Sequence, residues 1–374
     1  MAGIYRAEHI GSLLRPPALL QARADQEAGR LTLEQLREIE DQAILTALEM
    51  QRQVGIEVLT DGEYRRRRWS GALEESVEGL VDDPDFGPVS RWHGPFQDLA
   101  NETATRFGRR VVGGKLRQVR RLTAHESGFL KRHAPGHFKI TMPGVMTRAV
   151  EWFRPGLTDQ FYPTRGDLVR DLVEIMRAEV RALHAEGVSH IQLDSLRYVI
   201  DLANPQHRQR MIEAGENLDE ALDEVIAADN ASLQEARGLG MTVGLHMCRG
   251  NNRSAWISQG GYEAIAERAF NALQVDRFLL EYDTERAGGF EPLRFMPQDK
   301  VVVLGLISSK DPQLESADQL QRRVDEAAKY VPLEQLALSP QCGFASTAPG
   351  NMLTLEEQWR KLELVVETAR RIWG

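Results

Sequence analysis

The feature that most narrows the fold is a repeated unit: a short apolar run ending in a polar residue, then an amphipathic helix. Phe138–Met142, Ile191–Asp194, Val243–His246, Arg277–Glu281, Val301–Leu306 and Leu336–Ser339 are such runs. They lack strict polar alternation, as expected of strands buried on both faces. Between them the apolar spacing becomes helical, as with Leu168, Leu172, Ile175, Met176, Val180 and Leu183. Thr32 with Gln35 and Thr354 with Glu357 form capping boxes that mark two further helix starts. Adding the extended pieces Glu8–Ser12 and Ile56–Thr60 brings the strand count to about eight. Strand–helix alternation predicts an α/β fold with a parallel sheet, and eight units predict a (β/α)8 TIM barrel. An open dinucleotide-binding sheet is the runner-up, but no Gly-x-Gly-x-x-Gly follows the first strand. Residues 80–135 break the rhythm, being rich in Gly, Pro, Asp and Arg. Alternation along Arg109–Leu116 predicts a β-hairpin insertion there, within a single barrel catalytic domain covering 1–374.

Composition removes several function classes. A formal net charge of −9 argues against a nucleic-acid partner, because phosphate neutralisation needs a basic surface. The start, Met1–Glu8, lacks the apolar stretch of a signal peptide, and no run of about 18 apolar residues predicts a membrane span. A cytoplasmic protein is expected, and a homo-oligomer is compatible with the sequence. Only two cysteines occur, Cys248 and Cys342. In a reducing compartment they point to reactivity or metal binding before a structural disulfide.

In a barrel, chemistry gathers at the C-terminal ends of the strands. Ser12, Glu63, Asp194, His246 with Cys248, Glu281 and Cys342 all fall at or just beyond such ends. One strand-end carboxylate is readily structural; six such features at matching positions are not. His246 and Cys248 are two apart, so in an extended chain both point to one side. With Glu281 and Cys342 they offer two thiolates, an imidazole and a carboxylate, a tetrahedral donor set suited to Zn2+. Thiolate-rich zinc favours binding and deprotonating a substrate thiol, whose unperturbed pKa is about 8.5.

On these residues the chain resembles the catalytic, C-terminal half of the cobalamin-independent methionine synthases and their shorter single-domain relatives. The likeness runs from His9-Ile10-Gly11-Ser12 to Cys342-Gly343. It implies that His246, Cys248, Glu281 and Cys342 are metal ligands and catalytic. It implies that Ile10, Gly11 and Ser12 receive the homocysteine carboxylate, while Glu63 and Asp194 hold its amino group. The implied reaction is methyl transfer to a metal-bound thiolate, homocysteine giving methionine. The donor would be methyltetrahydrofolate or a methylcorrinoid protein.

The chain also departs from the family pattern. Asp194-Ser195-Leu196-Arg197 replaces Asp-Glu-Pro-Ala, and Ser308 stands where the full-length enzymes place a histidine proton donor. Trp152 aligns loosely with a tryptophan near their folate site. An epoxyalkane:coenzyme M transferase, in which a zinc-activated thiol opens an epoxide, is therefore the alternative enzyme. The third reading is without metal: a barrel related to the uroporphyrinogen decarboxylases, or a binding protein in which Cys248 and Cys342 form a redox pair. Arg65–Arg68 and the set Arg109, Arg110, Lys115, Arg117, Arg120 and Arg121 could cover an anionic substrate or form ordinary ion pairs. His9, His184 and His190 fit structural roles, and Lys310, at a strand end, is a better functional candidate than most lysines.

Overall fold

The computed structural model describes residues 5–83, 85–86, 92–106 and 110–374. Eight strands are present among them. An antiparallel pair, β1 (Val77–Asp82) and β2 (Arg110–Gln118), stands apart from a six-stranded parallel sheet. That sheet contains β3 (Ile140–Pro143), β4 (His190–Asp194), β5 (Thr242–Met247), β6 (Arg277–Glu281), β7 (Val301–Ile307) and β8 (Leu336–Pro340), paired in chain order. Every residue of β3, β4, β5, β6 and β8 is buried, which explains their nearly continuous apolar character. Helices Arg165–Ala185 and Leu218–Gly238 cross over from β3 to β4 and from β4 to β5. The expected capping boxes close the starts of helices Leu33–Val54 and Leu355–Trp373.

The two pieces expected to be the first strands are extended but carry one ladder bridge each, Ala7 with Leu338 of β8 and Leu59 with Phe138 ahead of β3. Glu57 N–H reaches Ala7 O at 3.1 Å, so these segments span the gap between the sheet's two outer strands. Side chains do part of the ladder's work there. Gln51 accepts from Thr60 N–H at 3.0 Å and donates to Thr60 O at 2.9 Å, while Glu57 accepts from Ala7 N–H at 2.7 Å.

The stretch expected to be a hairpin does contain antiparallel strands. β1, however, begins at Val77, and the connection to β2 includes helix Gln97–Arg106. This excursion lies over the C-terminal end of the sheet. His93 and Trp256 exchange main-chain hydrogen bonds of 2.7 and 3.1 Å, and Asn252 Nδ2 donates to Ala100 O at 2.9 Å. Helices Ala124–His133, Val145–Trp152 and Pro205–Glu213 complete the set that the sequence reading did not delimit.

At the opposite end of the sheet three buried charges pair with one another. Glu8 accepts from Lys139 Nζ at 2.8 Å and from Arg277 Nη2 at 2.6 Å, with all three side chains almost completely buried. Burial pushes the Glu8 carboxyl up, but Arg277 and Lys139 outweigh it and hold the group well below the usual carboxylate range. Removing the anion would strand two buried cations. Glu8→Gln should therefore lower unfolding free energy by about 3–5 kcal/mol. Urea denaturation at neutral pH measures this, and a loss under about 1 kcal/mol would show that the trio is replaceable.

Candidate metal centre and substrate pocket

β5 delivers His246 and, one residue past its end, Cys248; β6 ends on Glu281; Cys342 follows β8 by two residues. All four are buried, and the ligand atoms they offer lie within 4.8 Å of one another. The His246 Nδ1–H donates to Leu279 O at 3.1 Å, which leaves Nε2 as the lone-pair nitrogen. That Nε2 makes no hydrogen bond within the protein. Glu281 Oε1 accepts from Arg249 N–H at 2.9 Å, whereas its buried Oε2 has no hydrogen-bond partner; the Arg249 and Arg286 guanidiniums lie 3.9 and 3.8 Å from it. The Cys248 and Cys342 sulfurs are 3.4 Å apart and unoxidised. A buried polar atom without a partner costs about 1–3 kcal/mol. Two such atoms beside two thiols form a donor set that a soft divalent cation would satisfy.

The electrostatics are those of a site short of one positive charge. Burial pulls the His246 imidazole pKa down, but the Cys342 sulfur, Asp194 and Glu281 outweigh it and push it up to about 9. The two sulfurs are in hydrogen-bond contact. The hydrogen bond from Cys248 holds Cys342 well below the ordinary thiol value, and the same bond raises Cys248. Burial raises Glu281, with the Cys342 charge adding to it.

A cavity of about 200 Å³ is lined by Ile10, Ser12, Glu63 and Asp194 together with His246, Cys248 and Cys342. Gly11 and Glu281 do not reach the wall, and Glu281 sits fully buried behind it. Glu63 occupies the turn after the second extended segment with φ +57, a conformation few side-chain-bearing residues adopt, fixed by its N–H donating to Asp61 Oδ1 at 2.9 Å. Its Oε1 accepts from Thr141 Oγ1 at 2.8 Å, and its buried Oε2 is unpartnered. Asp194 Oδ1 accepts from Gln192 Nε2 at 2.7 Å. Burial pushes the Asp194 carboxyl up to about 7, with His246 pulling against it, and burial raises Glu63 as well.

Close approach sets the glycines here. A Cβ on Gly11, whose φ is +151, would sit 2.8 Å from Thr141 Cγ2 and 2.9 Å from Glu63 Oε1. A Cβ on Gly343 would stand 2.0 Å from Ser12 Oγ. The Cys342 loop and the Ser12 segment are thereby clasped, with Phe344 N–H donating to Ser12 O at 2.9 Å.

Other expected residues resolve into plainer roles. Arg66 is buried against Glu126, Arg65 pairs with Glu40 and Asp41, and Arg67 with Glu27 on the surface. Arg68 lines the cavity but is bound to Glu74. Arg110, Lys115, Arg117, Arg120 and Arg121 each have a carboxylate partner; Arg109 lies outside the described residues. His9 bonds Gln51 at 3.0 Å, and His190 bonds His137 at 3.1 Å. Trp152 is core, away from the cavity wall. Ser308 Oγ donates to Asp283 Oδ2 at 3.0 Å.

Trp69, Trp92, Arg148 and Glu151 also line the cavity, and the sequence reading did not select them. The one available signal was charge within an otherwise apolar helix, Val145–Trp152, where Arg148 and Glu151 pair at 2.7 Å. Glu151, Leu196 and Ile257 are shared with a second cavity of about 250 Å³, so the two adjoin.

A parallel α/β sheet with a buried His-Cys-Glu-Cys cluster at its C-terminal edge defines the class of this domain, and the chain belongs to the cobalamin-independent synthase catalytic-domain family, whose profile matches residues 6–371. It is 36% identical to YxjH of Bacillus subtilis over 99% of this chain and 95% of that protein, and 37% identical to its YxjG over the same shares. A methionine synthase of Pyrococcus furiosus is 24% identical over 97% of this chain and 91% of that protein. Among solved structures, a chain from Listeria monocytogenes aligns at TM-score 0.71, with 28% identity over 100% of this chain and 99% of that one. A B12-independent methionine synthase from Shewanella sp. W3-18-1, in complex with selenomethionine, aligns at 0.72 with 19% identity over 99% and 98%.

The packing around Gly11 gives a direct test. Gly11→Ala should destabilise the fold by about 1–3 kcal/mol through overpacking and strain. It should also push Glu63 off its position, so that thermal unfolding and thiol-ligand binding both suffer. Retention of both would mean the Gly11–Glu63 approach is looser than described.

Proposed function

We propose that this protein is a zinc-dependent methyltransferase that moves a methyl group to the thiolate of homocysteine, giving methionine. The observation that carries the reading is a set of unpartnered buried polar atoms around one cavity. His246 Nε2 and Glu63 Oε2, on lining residues, and Glu281 Oε2, buried behind the wall, have no hydrogen-bond partners. His246, Cys248, Glu281 and Cys342 would hold the ion, and its chemistry is to keep a substrate thiol as thiolate at neutral pH.

The chain's own residues then bind and orient. Glu63 and Asp194 grip the substrate ammonium between two carboxylates, and Ile10-Gly11-Ser12 receives its carboxylate. This anchors the sulfur towards the cysteine side of the cavity, so a donor needs only in-line access. Access is through the adjoining second cavity, floored by Leu196, Ile200 and Ile257. The segment carrying Trp92 and Ala104 covers the mouth and limits water. Sulfur forms a bond to the methyl carbon as the carbon–donor bond breaks, and the electron pair leaves with the donor. Methyltetrahydrofolate or a methylcorrinoid protein fits that role. Coenzyme M with an epoxide is disfavoured, because Arg68 and Arg148, the cavity's cations, are both committed to Glu74.

Architecturally, the extended segments at residues 8–12 and 56–60 serve as two further strands that close the parallel sheet into a (β/α)8 barrel, one catalytic domain over 1–374. The β1–β2 excursion is its insertion. A cytoplasmic setting suits two cysteines that must stay reduced. No helix among the described residues is long and apolar enough to cross a membrane.

Metal analysis tests the core of this. The purified protein should carry about one zinc per chain, and Cys248→Ser and Cys342→Ser should each lose most of it. Zinc-free protein active on homocysteine would refute the proposal. Glu63→Gln should weaken homocysteine binding by about 10–100-fold, the value of a charge-assisted hydrogen bond, with zinc retained. Calorimetric titration reads this, and unchanged affinity would remove Glu63 from the substrate grip.

A further inference from the structure

Lys310 follows β7 by three residues and is 7% exposed. Its ammonium donates to Gly250 O at 3.0 Å and to Asn251 Oδ1 at 2.6 Å, both neutral oxygens. Burying a charge against neutral partners alone is costly, so the arrangement needs an anion within electrostatic reach. Cys248, Cys342 and Glu281 all lie within such reach. Gly250 lies two residues after Cys248, and its N–H donates to the Cys248 Sγ at 3.3 Å.

The same residues join the two cysteine loops. Asn251 Nδ2 donates to Gly343 O at 2.6 Å and to Ser346 Oγ at 3.1 Å, one and four residues after Cys342. Ser309, beside Lys310, donates to Gly343 O at 3.0 Å and to Gln341 Oε1 at 2.7 Å. The end of β7 thus ties the loop after β5 to the loop after β8, while contributing no ligand of its own. On the opposite side of the cluster, Arg249 and Arg286 stand near the Glu281 carboxylate. Two thiolates and a carboxylate around a divalent cation leave one net negative charge, and a substrate thiolate adds another. Lys310 answers that charge from the cysteine side.

We propose that Lys310 is a positioning residue of the metal centre, fixing the spacing of the Cys248 and Cys342 loops and supplying the cation that balances an anionic ligand set. The inference rests on the zinc reading above and extends it to a residue outside the ligand shell. Ser308, the position that departs from the family pattern, donates to Asp283 Oδ2 at 3.0 Å and accepts from the Lys310 main-chain N–H at 3.3 Å, so it braces the turn that carries the lysine.

The test is zinc affinity of the full-length protein, measured by competition with a chromophoric chelator, beside thermal unfolding of the metal-free form. Lys310→Met should raise the zinc Kd by about 10–100-fold, the usual effect of removing a group that supports ligands from behind. Lys310→Gln keeps an N–H donor without the charge and should fall between Met and wild type; it carries the test if Lys310→Met does not fold. Wild-type protein that binds zinc while both variants bind it equally well would overturn the proposal and leave the zinc reading standing. A lowered metal-free melting temperature with unchanged Kd is that same result, since Lys310 would then be only a brace. Wild-type protein with no measurable zinc affinity would overturn both.

Discussion

Everything at the functional end of this molecule depends on one constraint: parallel strands buried on both faces send their C-terminal residues to a single edge. The register makes this concrete. Asp194 lies opposite His246 across β4 and β5, and Glu281 opposite Gly305 across β6 and β7. Main-chain hydrogen bonding therefore brings together side chains that are 33 to 96 residues apart in pairs such as Cys248–Glu281 and His246–Cys342. No covalent link is needed. The glycines at 11 and 343 then let neighbouring loops close to contact distance.

The two ends of the sheet treat buried charge in opposite ways. Arg277 begins β6 and Glu281 ends it. At the first end Arg277, Lys139 and Glu8 satisfy one another, which serves stability. At the other, His246, Glu281 and Glu63 each keep an atom without a partner. Native folds seldom leave buried polar atoms unpaired, and where they do a bound ion or substrate is the usual reason. A single strand thus carries a structural end and a functional end, the division expected of parallel α/β enzymes.

Legibility in the sequence followed the same physics. Uninterrupted apolar runs located β4 to β8 closely, and the polar residues at or just past the ends of β5, β6 and β8 located the cluster, because burial on both faces leaves little choice of residue. Residues 8–12 and 56–60 were read as strands, yet part of the hydrogen bonding along these segments passes through the Gln51 and Glu57 side chains, which no periodicity reveals. The helix within the 80–135 excursion lacks a strong apolar stripe and was missed for that reason. Arg148 and Glu151 sit on a short helix whose approach to the cavity no periodicity reveals, and the described arginines of both runs are ion-paired. Lys310 was visible as a strand-end lysine, but its partners, Gly250 and Asn251, become neighbours only in the folded chain.

The central claim is that His246, Cys248, Glu281 and Cys342 hold a zinc ion at which a substrate thiolate binds. Zinc K-edge X-ray absorption of the zinc-loaded protein, with and without homocysteine, tests it most directly. The account predicts two sulfur neighbours at about 2.3 Å with nitrogen and oxygen completing the shell, rising to three sulfurs when homocysteine is added. An unchanged sulfur count on adding homocysteine, or a shell without two sulfurs at the outset, would contradict it.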